Sequence, residues 1–374
     1  MDSVNPNEIL FVIGTRPELI KVAPVVMELK RQGKTNYKIV NTGQHKELLH
    51  PYWKVFGIQP DYDLDVIVPN QHLSQLTARA LMQLQQLLES LAQPPRIILA
   101  QGDTTTVMAA SMVAFYNKIG FAHLEAGLRS FDLYQPFPEE FNRKVASVTT
   151  AIHLAPTETA KQNLLNENVP EKDIHVIGNT VVDALEWIRR SPGFATDGFG
   201  IAELNEVCGK ETVLITCHRR ENHGEHLQVI LGAVETLVEQ HPELNFVWLL
   251  HPNPNVKEKV LAAGINRHAN FFCFDPLDYW DLLKLLSRSK LAITDSGGIQ
   301  EEAPSFGKPL IVLREVTERP EAVVAGMAKL AGPNHNNIIN AFEWALQYRP
   351  ADLNNPYGDG RSAERAARLL LGEQ

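Results

Sequence analysis

Cysteine is scarce in this chain of 374 residues: Cys208, Cys217 and Cys273 form an odd, scattered set. They point to no disulfide framework and have no metal-ligand spacing, so a reducing compartment is expected. No run of eighteen apolar residues occurs, which argues against a membrane-spanning helix. Long basic runs are also lacking and the net charge is −9, so nucleic acid is not expected as a partner. The first residues, Met-Asp-Ser-Val-Asn-Pro, hold no basic region followed by an apolar one, and the expectation is a soluble cytoplasmic protein. The glycines that follow Ile13 and Ile177 form no dinucleotide fingerprint, so NAD is not indicated, and neither cofactor nor metal is expected.

What the sequence does contain is a repeated alternation. Apolar runs around 8–14, 37–42, 97–100, 121–124, 152–155 and 174–177 read as buried parallel strands, with an amphipathic helix over 73–91. Residues 188–205 mix Arg, Ser, Pro, Gly and Asp, and the domain linker is placed there or just before. The pattern restarts with strands near 213–216, 246–250, 271–274, 291–294 and 310–313. The length suits two domains, and two blocks of strand and helix predict an α/β protein with two parallel sheets. The boundaries expected are 1–180, 181–355 and a last segment, 356–374, whose helix returns to the first domain.

Nearly every polar cluster follows a predicted strand, and ligands of open α/β sheets bind outside the strands' carboxyl ends. Two such domains facing one another would form a cleft. The densest case is Thr294-Asp-Ser-Gly-Gly-Ile-Gln-Glu-Glu-Ala-Pro304. Ser296 suits a helix N-cap, Gly297 and Gly298 leave room for close approach to their backbone, and a short helix should stop near Gly307. The N–H groups at its start suit a diphosphate, whereas Glu302, an acceptor only, suits sugar hydroxyls. Arg16 and Lys21 follow the first strand and could neutralise phosphate. Asp103 reads as an N-cap or as a proton carrier, Glu125 as an acid or as a partner of Arg129 or Arg143, and Glu139 as a helix-start acid. His218, in His-Arg-Arg-Glu-Asn, can contact phosphate or move a proton. Three carboxylates near one cleft can divide acid and base roles.

Taken in order, these motifs resemble the non-hydrolysing UDP-N-acetylglucosamine 2-epimerases of bacteria. The likeness runs from Gly14-Thr-Arg-Pro-Glu18 to Gly358-Asp-Gly-Arg361, through Gly102-Asp-Thr-Thr-Thr106, Glu125-Ala-Gly-Leu-Arg129, Pro138-Glu-Glu140, Gly178-Asn-Thr-Val181 and Thr317-Glu-Arg-Pro-Glu321. It implies the GT-B fold, a homodimer, and inversion at C2 of UDP-GlcNAc by elimination and re-addition of UDP. Asp103, Glu125, Glu139 and His218 match its catalytic positions. Arg16, Lys21, Leu277, Ser296, Gly297, Gly298, Glu302 and Arg319 match its substrate positions. Gln44, His45 and Arg219 fall near those of a second, regulatory site. Cys217 and Phe141 depart from the family's threonine and alanine, without removing a charge or a proton carrier. The alternatives left open are a hydrolysing relative, an epimerase of a modified UDP-sugar, a GT-B glycosyltransferase and a non-catalytic sugar-nucleotide sensor.

Overall fold

A computed structural model describes residues 8–44, 46–195, 198–250, 254–350 and 354–373. The chain divides into two compact units, Met1–Ala184 with Tyr357–Gln374, and Leu185–Pro356. Unit 1 carries strands β1 (Ile9–Ile13), β2 (Tyr37–Asn41), β3 (Tyr62–Asp63), β4 (Ile97–Gln101), β5 (Gly120–Leu124), β6 (Ile152–Ala155) and β7 (Ile174–Val176). Unit 2 carries β8 (Thr212–Thr216), β9 (Asn245–Leu249), β10 (Phe271–Phe274), β11 (Leu291–Thr294), β12 (Leu310–Val312) and β13 (Ala328–Leu330).

The apolar runs become central strands because both faces of each sheet are covered. All five residues of β1 are buried, as are all five of β9. In unit 1 the helices Leu73–Ser90 and Thr105–Tyr116 set Leu84, Leu88, Val107 and Val113 against Leu10, Val12 and Ile98. In unit 2 the helices Glu225–Gln240 and His335–Gln347 set Ile230, Leu237 and Phe342 against Val213, Phe246 and Trp248. Burying each such side chain stabilises the fold by roughly 1.5–3 kcal/mol. Among the described residues no helix is long and apolar enough to cross a membrane.

The strand orders are β3-β2-β1-β4-β5-β6-β7 and β10-β9-β8-β11-β12-β13. Every pair in both sheets is parallel. In each, the first strand lies between the second and a later one, so the order reverses there. Loops leaving the two strands beside that reversal diverge and open a crevice at the carboxyl end. For unit 1 these are the loops after Ile13 and Gln101, and for unit 2 those after Thr216 and Thr294.

β3 and β13 were not expected. They are two and three residues long, lie at sheet edges and lack the apolar run that marks a buried strand. The division between units falls inside the helix Thr180–Arg189, and 188–205 holds short helices at Pro192–Ala195 and Ala202–Val207. The last helix, Ser362–Leu371, lies against Arg16–Arg31 in unit 1. The Asp183 carboxylate accepts from its first N–H groups, Ser362 at 3.2 Å and Ala363 at 2.9 Å.

Candidate active site

Unit 1 gathers acceptors. After β1, the Gly14 N–H donates to Glu18 Oε2 at 2.6 Å and the Thr15 hydroxyl to Oε1 at 2.9 Å. Gly14 must be glycine, since a Cβ would strike the hydroxyls of Thr106 and Thr42. Burial drives the Glu18 carboxyl up to about 7 against the pull of those donors. Arg16 opens the helix with Pro17 in its first turn, and its guanidinium lies over the Tyr52 ring at 5.9 Å. Gln44, at the end of the second strand's loop, accepts from Thr106 Oγ at 2.8 Å. His45 lies outside the described residues.

Asp103 is not the N-cap. Thr104 takes that place, its hydroxyl accepting from Val107 N at 3.4 Å. The Asp103 carboxylate instead accepts from Arg143 Nε at 3.1 Å and Nη2 at 2.8 Å. Its carbonyl accepts from Asn142 Nδ2 at 2.8 Å. Both donors belong to the helix Glu139–Thr149, which Glu139 begins. The helix that Glu139 begins thus grips Asp103 one turn on, through Asn142 and Arg143.

Glu125 follows β5 with φ of +68°, a left-handed backbone that a non-glycine residue rarely adopts. Such strain costs on the order of 1–3 kcal/mol and persists where the surroundings over-determine it. The Glu125 carboxylate is held by partners distant in sequence. It accepts from Lys21 Nζ and from Asn179 Nδ2, the latter at 2.9 Å. Arg129 grips Glu167 at 2.9 and 2.8 Å, and Arg143 is committed to Asp103 and Glu140. Lys21 therefore serves a carboxylate as well as any phosphate. Asn179 is held in turn by the returning segment, its N–H donating to Tyr357 O at 2.7 Å.

Unit 2 gathers donors around one buried carboxylate, Asp295, which directly follows β11. It accepts from the His218 N–H at 3.1 and 3.0 Å, Arg219 N–H at 2.9 Å, Asn222 Nδ2 at 2.8 Å and His218 Nδ1 at 2.8 Å. Burial would raise its pKa, but His218 and these N–H groups outweigh that and hold it far below the carboxylate range. With Nδ1 committed to Asp295, Nε2 is the ring nitrogen His218 presents to other partners.

Ser296 is the N-cap as foreseen, its hydroxyl accepting from Ile299 N at 3.4 Å. The two glycines differ. A Cβ on Gly297 would meet Arg319 Nη1 at 2.8 Å, so the protein's own guanidinium fills that side. A Cβ on Gly298 would find nothing nearer than 3.8 Å, so only there is the backbone open to close approach. Arg319 Nε donates to Glu301 at 2.5 Å and Nη1 to Glu318. Glu318 also accepts from Arg314 Nη1 at 2.8 Å, with Arg219 Nη2 at 3.6 Å. Glu302 points elsewhere and accepts from the Tyr279 hydroxyl at 2.7 Å. Leu277 is buried just ahead of the helix Tyr279–Arg288, which Asp278 caps.

Arg219 thus joins the Asp295–Glu318 cluster of unit 2, whereas Gln44 is in unit 1. Sequence reasoning missed Asp295, although it stands between a strand and an N-cap, and Asn222, Asn179 and Tyr279 with it. Arg143 carried a signal, lying three and four positions after Glu140 and Glu139 on one helix face. Glu235, Glu239 and His268 could hold a metal ion by spacing, but the Arg267 guanidinium already pairs with Glu235.

Two parallel sheets, each with polar loops at its order reversal, define a two-domain α/β enzyme of the GT-B type. The family model for UDP-N-acetylglucosamine 2-epimerase matches residues 27–371. The chain is 42% identical to the UDP-N-acetylglucosamine 2-epimerase of Neisseria meningitidis, over 97% of this chain and 99% of that one. A crystal structure of the N. meningitidis enzyme bound to UDP-GlcNAc superposes with a TM-score of 0.86 at 40% identity, covering 98% of this chain and 100% of that one. One from Methanocaldococcus jannaschii, in complex with UDP-GlcNAc and UDP, gives 0.83 at 33% identity, covering 97% and 99%. The chain belongs to the UDP-N-acetylglucosamine 2-epimerase family.

Proposed function

We propose that the protein interconverts UDP-GlcNAc and UDP-ManNAc without hydrolysis, by eliminating UDP to 2-acetamidoglucal and adding it back. The observation that carries this reading is the unit 1 acid set: Asp103 gripped by the helix that Glu139 begins, with Glu125 held in a strained backbone. A sensor or a glycosyltransferase has no need of such proton carriers around C2.

The C2 hydrogen becomes acidic only as the C1–O bond breaks. One carboxylate takes that proton while the bonding pair leaves with the UDP oxygen and C1=C2 forms. In the return step UDP oxygen attacks C1, and a proton reaches C2 on the other face from a second acid. Each such transfer supplies roughly 10²–10⁴-fold. Arg16, Lys21, His218 and Arg319, with the N–H groups at Gly297 and Gly298, stabilise the departing diphosphate; the Ser296 N–H, expected as a third donor, is taken by the Thr294 hydroxyl at 2.9 Å. Leu277 meets the uracil and Glu302 the ribose.

In deuterated water, NMR should show deuterium at C2 of both UDP-sugars with no added cofactor. Retention of the original hydrogen would overturn the elimination. Free ManNAc as main product would point to a hydrolysing enzyme.

The same reading makes the protein a cytoplasmic homodimer that supplies activated ManNAc for surface polysaccharide. Met82, Phe115, Tyr116 and Val148 stand exposed on the packed helices Leu73–Ser90, Thr105–Tyr116 and Glu139–Thr149, an apolar face suited to a second copy. Tyr116→Glu with Val148→Asp should halve the mass measured by light scattering. A wild-type mass of 41.8 kDa, that of one chain, would refute the dimer.

A further inference from the structure

We propose that Arg143 is a positioning residue that sets the Asp103 carboxylate, and that Glu140 ties this setting to the aromatic segment 130–138. The inference rests on the reading of Asp103 as a proton carrier. Arg143 and Glu140 are buried, with side chains 3% and 0% exposed. The Arg143 fork closes on a single oxygen of Asp103, Oδ2, through Nε and Nη2. Its third nitrogen, Nη1, donates to Glu140 Oε2 at 2.7 Å. Residue 142, the neighbour of Arg143, holds the Asp103 carbonyl. Main chain and side chain of Asp103 are therefore gripped by two consecutive residues of the helix that Glu139 begins. The spacing between the two acids is fixed by one turn of backbone.

A buried triad of charges is a poor source of stability, because desolvation offsets most of the attraction. What the triad provides is fixed geometry, through bidentate and charge-assisted hydrogen bonds. Glu140 extends that geometry outward. Its Oε2 also accepts from Ser130 N at 3.1 Å and its Oε1 from Phe131 N at 3.3 Å. Phe131 holds φ of +65°, a conformation strained for an aromatic residue. Beyond it Phe131, Tyr134 and Phe137 are exposed, the last two stacked with centroids 6.4 Å apart. Through Glu140 and Arg143, the seat of this segment and the rotamer of Asp103 share one set of hydrogen bonds.

The test uses the full chain and three variants: Arg143→Lys, Asp103→Asn and the double substitution. Lysine keeps the charge and loses the fork. For Arg143→Lys kcat should fall about 10²-fold, the scale of a misplaced reacting group, with KM within about threefold. The double variant should be no slower than Asp103→Asn within about threefold, since Arg143 acts only through Asp103. A double variant slower by the product of the two single effects would overturn the proposal, as would an Arg143→Lys of wild-type kcat. Wild-type protein that does not exchange the C2 hydrogen would instead condemn the functional reading. A second readout needs no turnover and serves if Arg143→Lys does not fold. Chymotrypsin should cut after Phe131 or Tyr134 several-fold faster in Glu140→Gln than in wild type. Equal cutting rates would show that Glu140 does not seat the segment.

Discussion

Glu18 in unit 1 and Asp295 in unit 2 are both buried carboxylates at the carboxyl end of a sheet, and their fates are opposite. Glu18 receives neutral donors, the Gly14 N–H and the Thr15 hydroxyl, and burial lifts it to about 7. Asp295 has an imidazole beside it and three N–H groups converging on it, and stays ionised far below its ordinary range. Number and charge of donors, not depth, decide which form is stable. The contrast extends to the sites around them. Unit 1 collects acids held by single cations and amides, the arrangement for moving protons. Unit 2 locks its charges, His218 and Arg319 among them, into pairs with Asp295, Glu301 and Glu318, an arrangement that the proposed function turns to holding an anion. Under the proposed function, one strand-order plan supports reaction at one sheet and anchorage at the other.

The largest effect that would break this division is on turnover. Asp103→Asn, Glu125→Gln and Glu139→Gln should each slow epimerisation by at least about 10²-fold, the scale of a lost proton transfer. UDP affinity by calorimetry should survive, because these residues belong to unit 1. Normal turnover in all three would make the acids structural.

A smaller effect sharpens the anchoring role of unit 2. Wild-type protein should bind UDP better than its 2′,3′-dideoxyribose analogue by about 1.5–3 kcal/mol, the range for hydrogen bonds to a charged group. Glu302→Ala should bind UDP more weakly and discriminate little. The Tyr279 hydroxyl fixes one Glu302 oxygen and so its rotamer. Full discrimination by the mutant would place the ribose elsewhere.

The smallest effect is on stability, and its sign separates the two units. Glu18 binds its proton more tightly folded than unfolded, so it costs stability as pH rises from its unfolded value, 4.5, through about 7. Glu18→Gln lacks that slope, and its Tm relative to wild type should climb by a few degrees between pH 5 and 8. Asp295 is depressed, so its contribution is present above its unfolded value of 3.8 and lost only as pH falls below it. The Tm gap between wild type and Asp295→Asn should therefore stay constant over pH 5 to 8. Parallel curves for both variants in differential scanning fluorimetry would refute the contrast.

Much of the fold was legible because a doubly covered strand writes itself as a continuous apolar run. β1, β5, β9 and β11 were visible for that reason, and β3 and β13, short and at the edges, were not. The division between units, after Ala184 and before Tyr357, lies close to the expected boundaries at 180 and 356, but it falls within a continuous helix and not in the Pro- and Gly-containing stretch that follows. At the site, residue types were readable and pairings were not. Asp103 looked like a cap because Thr104, one step on, is equally able to cap. Glu125 was offered two arginines nearby in sequence, while its cation, Lys21, stands 104 positions away. Asp295 reaches donors 73 to 77 positions distant, a relation that only the folded chain displays.

The returning helix Ser362–Leu371 has a consequence for the order of synthesis. Unit 1 is assembled from the two ends of the sequence, and unit 2 from one uninterrupted stretch between them. A ribosome therefore finishes unit 2 before it has made the residues that cover Arg16–Arg31, cap onto Asp183 and hold Asn179. The domain begun first is completed last. Asn179 and its partner Glu125 wait on that closure, so the unit that carries Asp103, Glu125 and Glu139 is the later of the two to be complete.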